Sequence, residues 1–242
     1  MKKHSVKIFF ILIFLMGVSG CMNGNENDNS PAKEDRLSAQ EMMLAYIRNR
    51  YPEDEFGYGG LIGGGVGSAG AKITVSSQMF PDALIIVAAD EADGNIIYSD
   101  NYMYHKYANQ TESFLIKILD PVIGRDFRLF LTTSPSATTL SLPGDASFEV
   151  FISNEKTLLE FTAIVEAGFL LDDKNKTEEK FNEAFKSSSV EVTAAVFYFS
   201  DENIDFDTIK NAGSLTDINF GHNVPNVTVF NLGRDDATFD WR

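Results

Sequence analysis

Gly65-Val66-Gly67-Ser68-Ala69-Gly70 matches the G-x-G-x-x-G spacing that lets a backbone approach a dinucleotide pyrophosphate. Asp90, twenty residues after Gly70, ends a strand-like run, where a ribose-binding acid would stand. That chemistry needs a strand before the glycines and a helix after them, because the helix N-terminus holds the phosphates. Tyr58 to Gly63 is too glycine-rich for a buried first strand, and Lys72-Ile73-Thr74-Val75-Ser76-Ser77 is β-branched and alternating, which predicts a strand. The expectation is therefore a loop between helix and sheet. Other partial matches fail on spacing. Lys72 lies one residue late for a P-loop, and Ser68 lacks the glycine of a nucleophile elbow. Ser99-Asp100-Asn101 has no S-x-x-K partner except Ser30 to Lys33, and no K-T-G follows.

Histidine chemistry is sparse, with His105 in a helical pattern and His222 in a Gly/Asn-rich turn, and no H-x-x-x-H spacing. Acidic residues gather at Asp90, Glu91 and Asp93, and again at Asp201, Glu202, Asp205 and Asp207. Oxygen-rich loops of this kind can take calcium weakly, although neither has EF-hand spacing, so Asp90, Asp93, Asp201, Asp205 and Asp207 are only candidate metal ligands. Tyr98, Tyr102, Tyr104 and Tyr107 could stack on a sugar ring. Packing of a third strand against a second helix is the plainer expectation for them.

The elements that must position these residues emerge from periodicity. Ser38-Ala39-Gln40-Glu41 reads as a capping box, Met43, Ile47 and Tyr51 as one helix face, and Pro52 as its stop. Lys72–Ser77, Ala83–Ala89 and Ile96–Tyr102 read as an antiparallel meander, with turns at Phe80-Pro81-Asp82 and Asp90–Asn95. An apolar helix face from Tyr104 to Ile118 is closed by Pro121, and Phe127–Thr132 is another strand. The Ser/Thr/Pro/Gly-rich stretch from Thr132 to Ser147 predicts a boundary. Beyond it come a short helix at Phe148–Ile152, a strand at Leu158–Val165, a helix at Thr177–Lys186, and strands at Val190–Phe199 and Val227–Leu232. The fold class expected is α+β, antiparallel sheets with packed helices, in two lobes spanning 37–133 and 147–242.

At the N-terminus, Lys2, Lys3 and Lys7 precede an apolar run from Ile8 to Met16. Nine residues are too few to span a bilayer, for which about 20 are needed. Small residues and then Cys21, the only cysteine of the chain, complete the layout of a secretory signal. Val18-Ser19-Gly20-Cys21 resembles the lipobox of bacterial lipoproteins. The resemblance implies cleavage between Gly20 and Cys21, so that 1–20 is a signal peptide. It also implies transfer of a lipid to the Cys21 thiol, with acyl chains of the palmitate type as the anchor. Residues 21–36 would then be the lipidated cysteine and a polar, disordered tether, spanning roughly 20 Å by the square-root rule. Glu41-Met42-Met43, Tyr51-Pro52-Glu53-Asp54-Glu55-Phe56, the glycine stretch and Tyr98-Ser99-Asp100-Asn101-Tyr102 resemble segments of uncharacterised surface lipoproteins of Gram-positive bacteria. That resemblance implies no functional residues.

Charge narrows the partners. The 242 residues carry a formal charge of −15, and loss of three lysines with the signal would make it −18. Such a surface repels nucleic acid and anionic headgroups. With no cysteine beyond Cys21 there is no disulfide, so the domain stands on its apolar core. The expectation is a lipid-anchored protein on the extracytoplasmic face of the membrane, non-enzymatic, binding a protein or envelope component. The alternatives are an exported enzyme of hydrolase type and a calcium or small-ligand carrier, with no other cofactor implied.

Overall fold

The computed structural model describes residues 32–63, 70–132, 142–154, 157–166, 174–188, 190–199, 206–218 and 225–242. The chain divides into two compact units, Met1–Glu34 and Asp35–Arg242. The first holds only the opening residues of helix α1 (Ala32–Arg50) among those described, and the second holds the fold.

Two sheets build that fold, as an α+β protein. Strands β1 (Phe56–Gly63), β2 (Ala71–Ser77), β3 (Ile85–Ala92) and β4 (Asn95–Asp100) form an antiparallel meander in that order. Helices α2 (Tyr102–Lys106) and α3 (Ala108–Ile123) then lead to β5 (Phe127–Thr132), the first strand of the second sheet. Helix α4 (Phe148–Ile152), strand β6 (Leu159–Val165), helix α5 (Lys174–Ser188) and strand β7 (Val192–Phe199) come next. Helix α6 (Phe206–Lys210), a 3₁₀ turn at Leu215–Asp217, β8 (Asn226–Leu232) and β9 (Thr238–Trp241) complete the chain. The second sheet runs β5-β6-β7-β8-β9, and only β6 and β7 pair in parallel. The crossover through α5 is what a parallel pair requires.

One apolar core serves both sheets. Met43 and Ile47 of α1, with Tyr51 just after it, join Ile73, Val75, Ile85 and Val87 of the first sheet. The same cluster takes in Leu115 and Leu119 of α3, Phe151 of α4, Phe161 of β6 and Phe181 and Phe185 of α5. Each such ring or branched chain contributes about 1.5–3 kcal/mol by leaving water. On the other face of the second sheet, Ile164 packs with Phe206 and Ile209 of α6. With both faces covered, β6 reads Leu-Glu-Phe-Thr-Ala-Ile-Val and is buried at six of its seven positions. From the stretch between the halves, the described Leu142 and Ala146 join the core as well. Tyr107 Oη donates to Ala146 O, and Leu158 N donates to Tyr104 Oη at 2.9 Å.

Several expectations need correction. The first helix starts at Ala32, so Ser38 lies inside it and residues 32–35 are helix, not tether. Half of the glycine stretch is strand β1, not loop. Gly57 and Gly59 sit where a Cβ would come within 2.7 Å of the Ser76 and Thr74 hydroxyls, so glycine is what lets β1 lie against β2. Pro121 lies within the last turn of α3, and the helix stops at Gly124, whose left-handed φ of 61° turns the chain out. The turn placed at Asp90–Asn95 is the two-residue Asp93-Gly94, with φ of 53° and 74°. Helix α6 and strand β9 were not expected; they are short, and α6 and the 3₁₀ turn lie in an acidic stretch.

Candidate functional site

Two of the segments that carry the Gram-positive resemblance meet at the end of α1. Asp100, the last residue of β4, is 3% exposed. Its carboxylate accepts hydrogen bonds from Tyr46 Oη and Tyr51 Oη, both at 2.9 Å, and from Tyr102 N at 3.0 Å. Arg50 Nε lies 3.3 Å from it. The guanidinium also donates to Tyr51 Oη at 3.0 Å, to Tyr46 Oη at 2.8 Å and to the carbonyl of Leu142. Gly144 passes so close to α1 that any Cβ there would overlap the Arg50 carbonyl oxygen. Helical spacing places Tyr46 and Arg50 one turn apart on one side of α1, and Tyr51 is the next residue. Burial, and then the Asp100 charge, push the hydroxyls of Tyr46 and Tyr51 far above the usual phenol value, so both stay protonated donors.

A second carboxylate, Asp54, lies on the far side of the Tyr51–Tyr102 ring pair, which meets at a 32° tilt with centroids 4.2 Å apart. Asp54 Oδ1 accepts from the backbone N–H groups of Glu55, Gln78 and Met79 at 2.7–3.0 Å, and Ser77 Oγ donates to Oδ2. Burial alone would raise its pKa; the bonds from Ser77, Met79, Glu55 and Tyr102 outweigh that and hold it below the usual carboxylate range. Asn101 takes Ile86 N on Oδ1 at 2.8 Å and donates to Leu84 O at 3.0 Å. Carboxylates this fully engaged bind structure, not substrate. Ser99 Oγ is buried with no hydrogen-bond partner among the described residues. Ser99-Asp100-Asn101 is thus a structural knot.

The remaining expected residues do not converge. Gly20, Cys21, Asp201, Glu202, Asp205 and His222 lie outside the described residues, as do residues 65–69 of the glycine motif. Gly70 leads straight into strand β2, not into the helix a pyrophosphate requires. Asp90 and Asp93 sit on the β3–β4 hairpin, whereas Asp207 lies on α6, lining a shallow depression with Thr208, Asn211 and Asp217. Among the described residues no three His, Cys, Asp or Glu side chains are grouped to hold a metal ion. His105 Nε2 is 3.3 Å from Leu84 O, and burial lowers its pKa. The tyrosines pack, but on other partners than expected: Tyr98 against Tyr46 of α1, Tyr104 and Tyr107 against Phe151 of α4. A recess of about 110 Å³ lies between Thr157, Glu191, Thr193, Asn231 and Arg234. That is below the few hundred Å³ typical of a small-molecule site.

What the sequence reading missed is at the surface. Leu61 and Ile62 near the end of β1, and Ile96 and Ile97 at the start of β4, are all about half exposed. Register sets the two pairs apart: Leu61, through Ile73 and Val87, is level with Asp100, whereas Ile96 and Ile97 pair with Glu91 and Asp90 beyond the Ala71–Ala89 pair. β1 and β4 are the two edge strands. A signal was present: adjacent isoleucines on a strand point to opposite faces, so burying both requires cover on both sides.

These features define a two-sheet α+β protein with buried carboxylates engaged by hydrogen bonds and exposed isoleucines on the part of β4 that runs beyond β2. No family model matches the chain, and no curated protein matches it. Among solved structures, the chain is similar to a DUF5037 family protein from Ruminococcus gnavus, with 13% identity and a TM-score of 0.39 over 83% of this chain and 94% of that one.

Proposed function

We propose that this chain is a lipid-anchored protein of the extracytoplasmic face of a bacterial membrane, whose folded part binds a protein or envelope component. The observation that carries the binding role is the exposed Ile96 and Ile97 of edge strand β4, which carries neither proline nor lysine, with Leu61 and Ile62 exposed on the opposite edge strand β1. Isolated apolar side chains on a surface are ordinary, but two adjacent isoleucines on an edge strand that runs on beyond β2 offer a contact surface. The anchor is supported by the basic start, the nine-residue apolar run and Val18-Ser19-Gly20-Cys21. Among the described residues no helix is long and apolar enough to cross a membrane.

Expression of the full chain in a bacterium tests the anchor. The wild type is expected to incorporate labelled palmitate and partition into the detergent phase on Triton X-114 separation. Cys21→Ser is expected to lose the label and remain uncleaved. A wild type that takes no label and stays in the aqueous phase would overturn the anchored reading.

A further inference from the structure

The β3–β4 hairpin continues past its neighbour. Pairing with β2 ends at Ala71–Ala89, reinforced by Gly70 N donating to Ala89 O at 2.8 Å, whereas β3 and β4 pair on through Asp90–Ile97, Glu91–Ile96 and Ala92–Asn95. All eight residues from Asp90 to Ile97 are exposed. Directly paired residues share a face, so Asp90 and Ile97 lie on one side of this ribbon and Glu91 and Ile96 on the other. Each face thus presents one isoleucine, 52% and 48% exposed, beside one carboxylate, with Asp93 at the tip. No lysine or arginine occurs between Lys72 and Lys106, and by register Lys72 lies opposite Ala88, two residues before Asp90 and on the same face.

We propose that this ribbon is a docking arm for a cationic, apolar-bearing segment of a partner protein, an extended stretch in which Lys or Arg alternates with aliphatic side chains. It deepens the binding role proposed above and rests on it. The charge decides between occupants. A second copy would set Asp90, Glu91 and Asp93 against their own kind, and like charges across a contact cost several kcal/mol. An anionic lipid surface is repelled in the same way. A cationic strand satisfies both features at once, because alternation gives it one apolar face for an isoleucine and flanking charges for the carboxylates. The area is small, so the contact is weak and sensitive to salt.

The test titrates synthetic peptides of alternating Lys and Val, or of alternating Glu and Val, into the purified protein, read by calorimetry. Three variants accompany the wild type. One neutralises the arm (Asp90→Asn, Glu91→Gln, Asp93→Asn), asparagine being tolerated at the positive φ of Asp93. Another removes the apolar pair (Ile96→Ser, Ile97→Ser). The last removes three exposed acids elsewhere (Glu179→Gln, Glu183→Gln, Asp236→Asn). The Lys/Val peptide is expected to bind the wild type and the remote variant alike, and both arm variants about tenfold more weakly. The Glu/Val peptide is expected not to bind. Absence of Lys/Val binding, wild-type binding by the apolar-pair variant, or equal weakening in the remote variant would each overturn the proposal. To separate the arm from the wider binding role, photo-cross-linking residues are placed at Ile97 and at Ile62 in intact cells. Capture of a partner from Ile62 alone would keep the binding role and remove the arm.

Discussion

The two ends of β4 break the usual rule of inside and outside in opposite senses. At its start Asn95, Ile96 and Ile97 stand in water, and at its end Ser99 and Asp100 are buried. Six residues thus run from exposed hydrocarbon to a buried carboxylate. The buried end is tolerable because Asp100 meets four donors, and a buried charge with such company is retained where a lone one would be neutralised. The exposed end has no such internal compensation, and that asymmetry is what the proposed partner would answer. Polar burial here speaks of stability, and apolar exposure speaks of contact.

The most severe way to break that comparison is to empty the buried end. Asp100→Ala takes the carboxylate away from Arg50 and strands the hydroxyls of Tyr46 and Tyr51, and removal of one partner from a buried pair costs about 3–5 kcal/mol. Urea denaturation of the purified protein is expected to show that loss. Asp100→Asn, which keeps the acceptor oxygen and drops the charge, is expected to lose less. If Asp100→Ala unfolds at the wild-type midpoint, the cluster holds nothing together and the contrast collapses.

Asp54 sharpens the comparison, since its bonds are to backbone N–H groups and a serine rather than to a cation. Its folded pKa is depressed, so its contribution is fully present above the unfolded carboxylate value of roughly 3.9 and is lost as pH falls through the folded value. Asp54→Asn is expected to be less stable than the wild type by about 1–3 kcal/mol at pH 7. The gap should narrow below about pH 4, where the wild-type group takes up its proton. A gap that stays constant down to about pH 2 would show that the charge of the carboxylate is not what its neighbours use.

Much of the fold was legible because most elements carry their own period. Met43, Ile47 and Tyr51 announce α1, and Phe148–Ile152 and Phe127–Thr132 stand where pattern put them. Strand β1 was hidden because glycines have no side chain to alternate, although the steric reason for them, Ser76 and Thr74 facing Gly57 and Gly59, is visible at once in three dimensions. The role of Asp100 was illegible for a different reason. Tyr46, Arg50, Tyr51 and Leu142 lie about 40 to 54 residues away, and no local pattern announces a cluster gathered from such distances. Asp90 and Asp93 did draw notice as acids, but the neighbouring isoleucines were assigned to an ordinary strand, and pairing register was needed to show them projecting beyond β2.

The gentlest change probes the exposed end. Ile96→Ser with Ile97→Ser removes two aliphatic side chains that are about half in water already, beyond Ala71, the first residue of β2. Surface substitutions of this kind change stability by at most about 0.5 kcal/mol each, so thermal unfolding is expected to be nearly unchanged. Serine is a poorer strand residue than isoleucine, which accounts for whatever small loss appears. A loss above about 2 kcal/mol would mean that the isoleucines are core, packed by the chain itself. The asymmetry of β4 would then vanish, and with it the reason to look for a partner at that end. An unchanged melt places the use of these side chains in contact rather than in folding, and makes the same variant a clean reagent for measuring that contact.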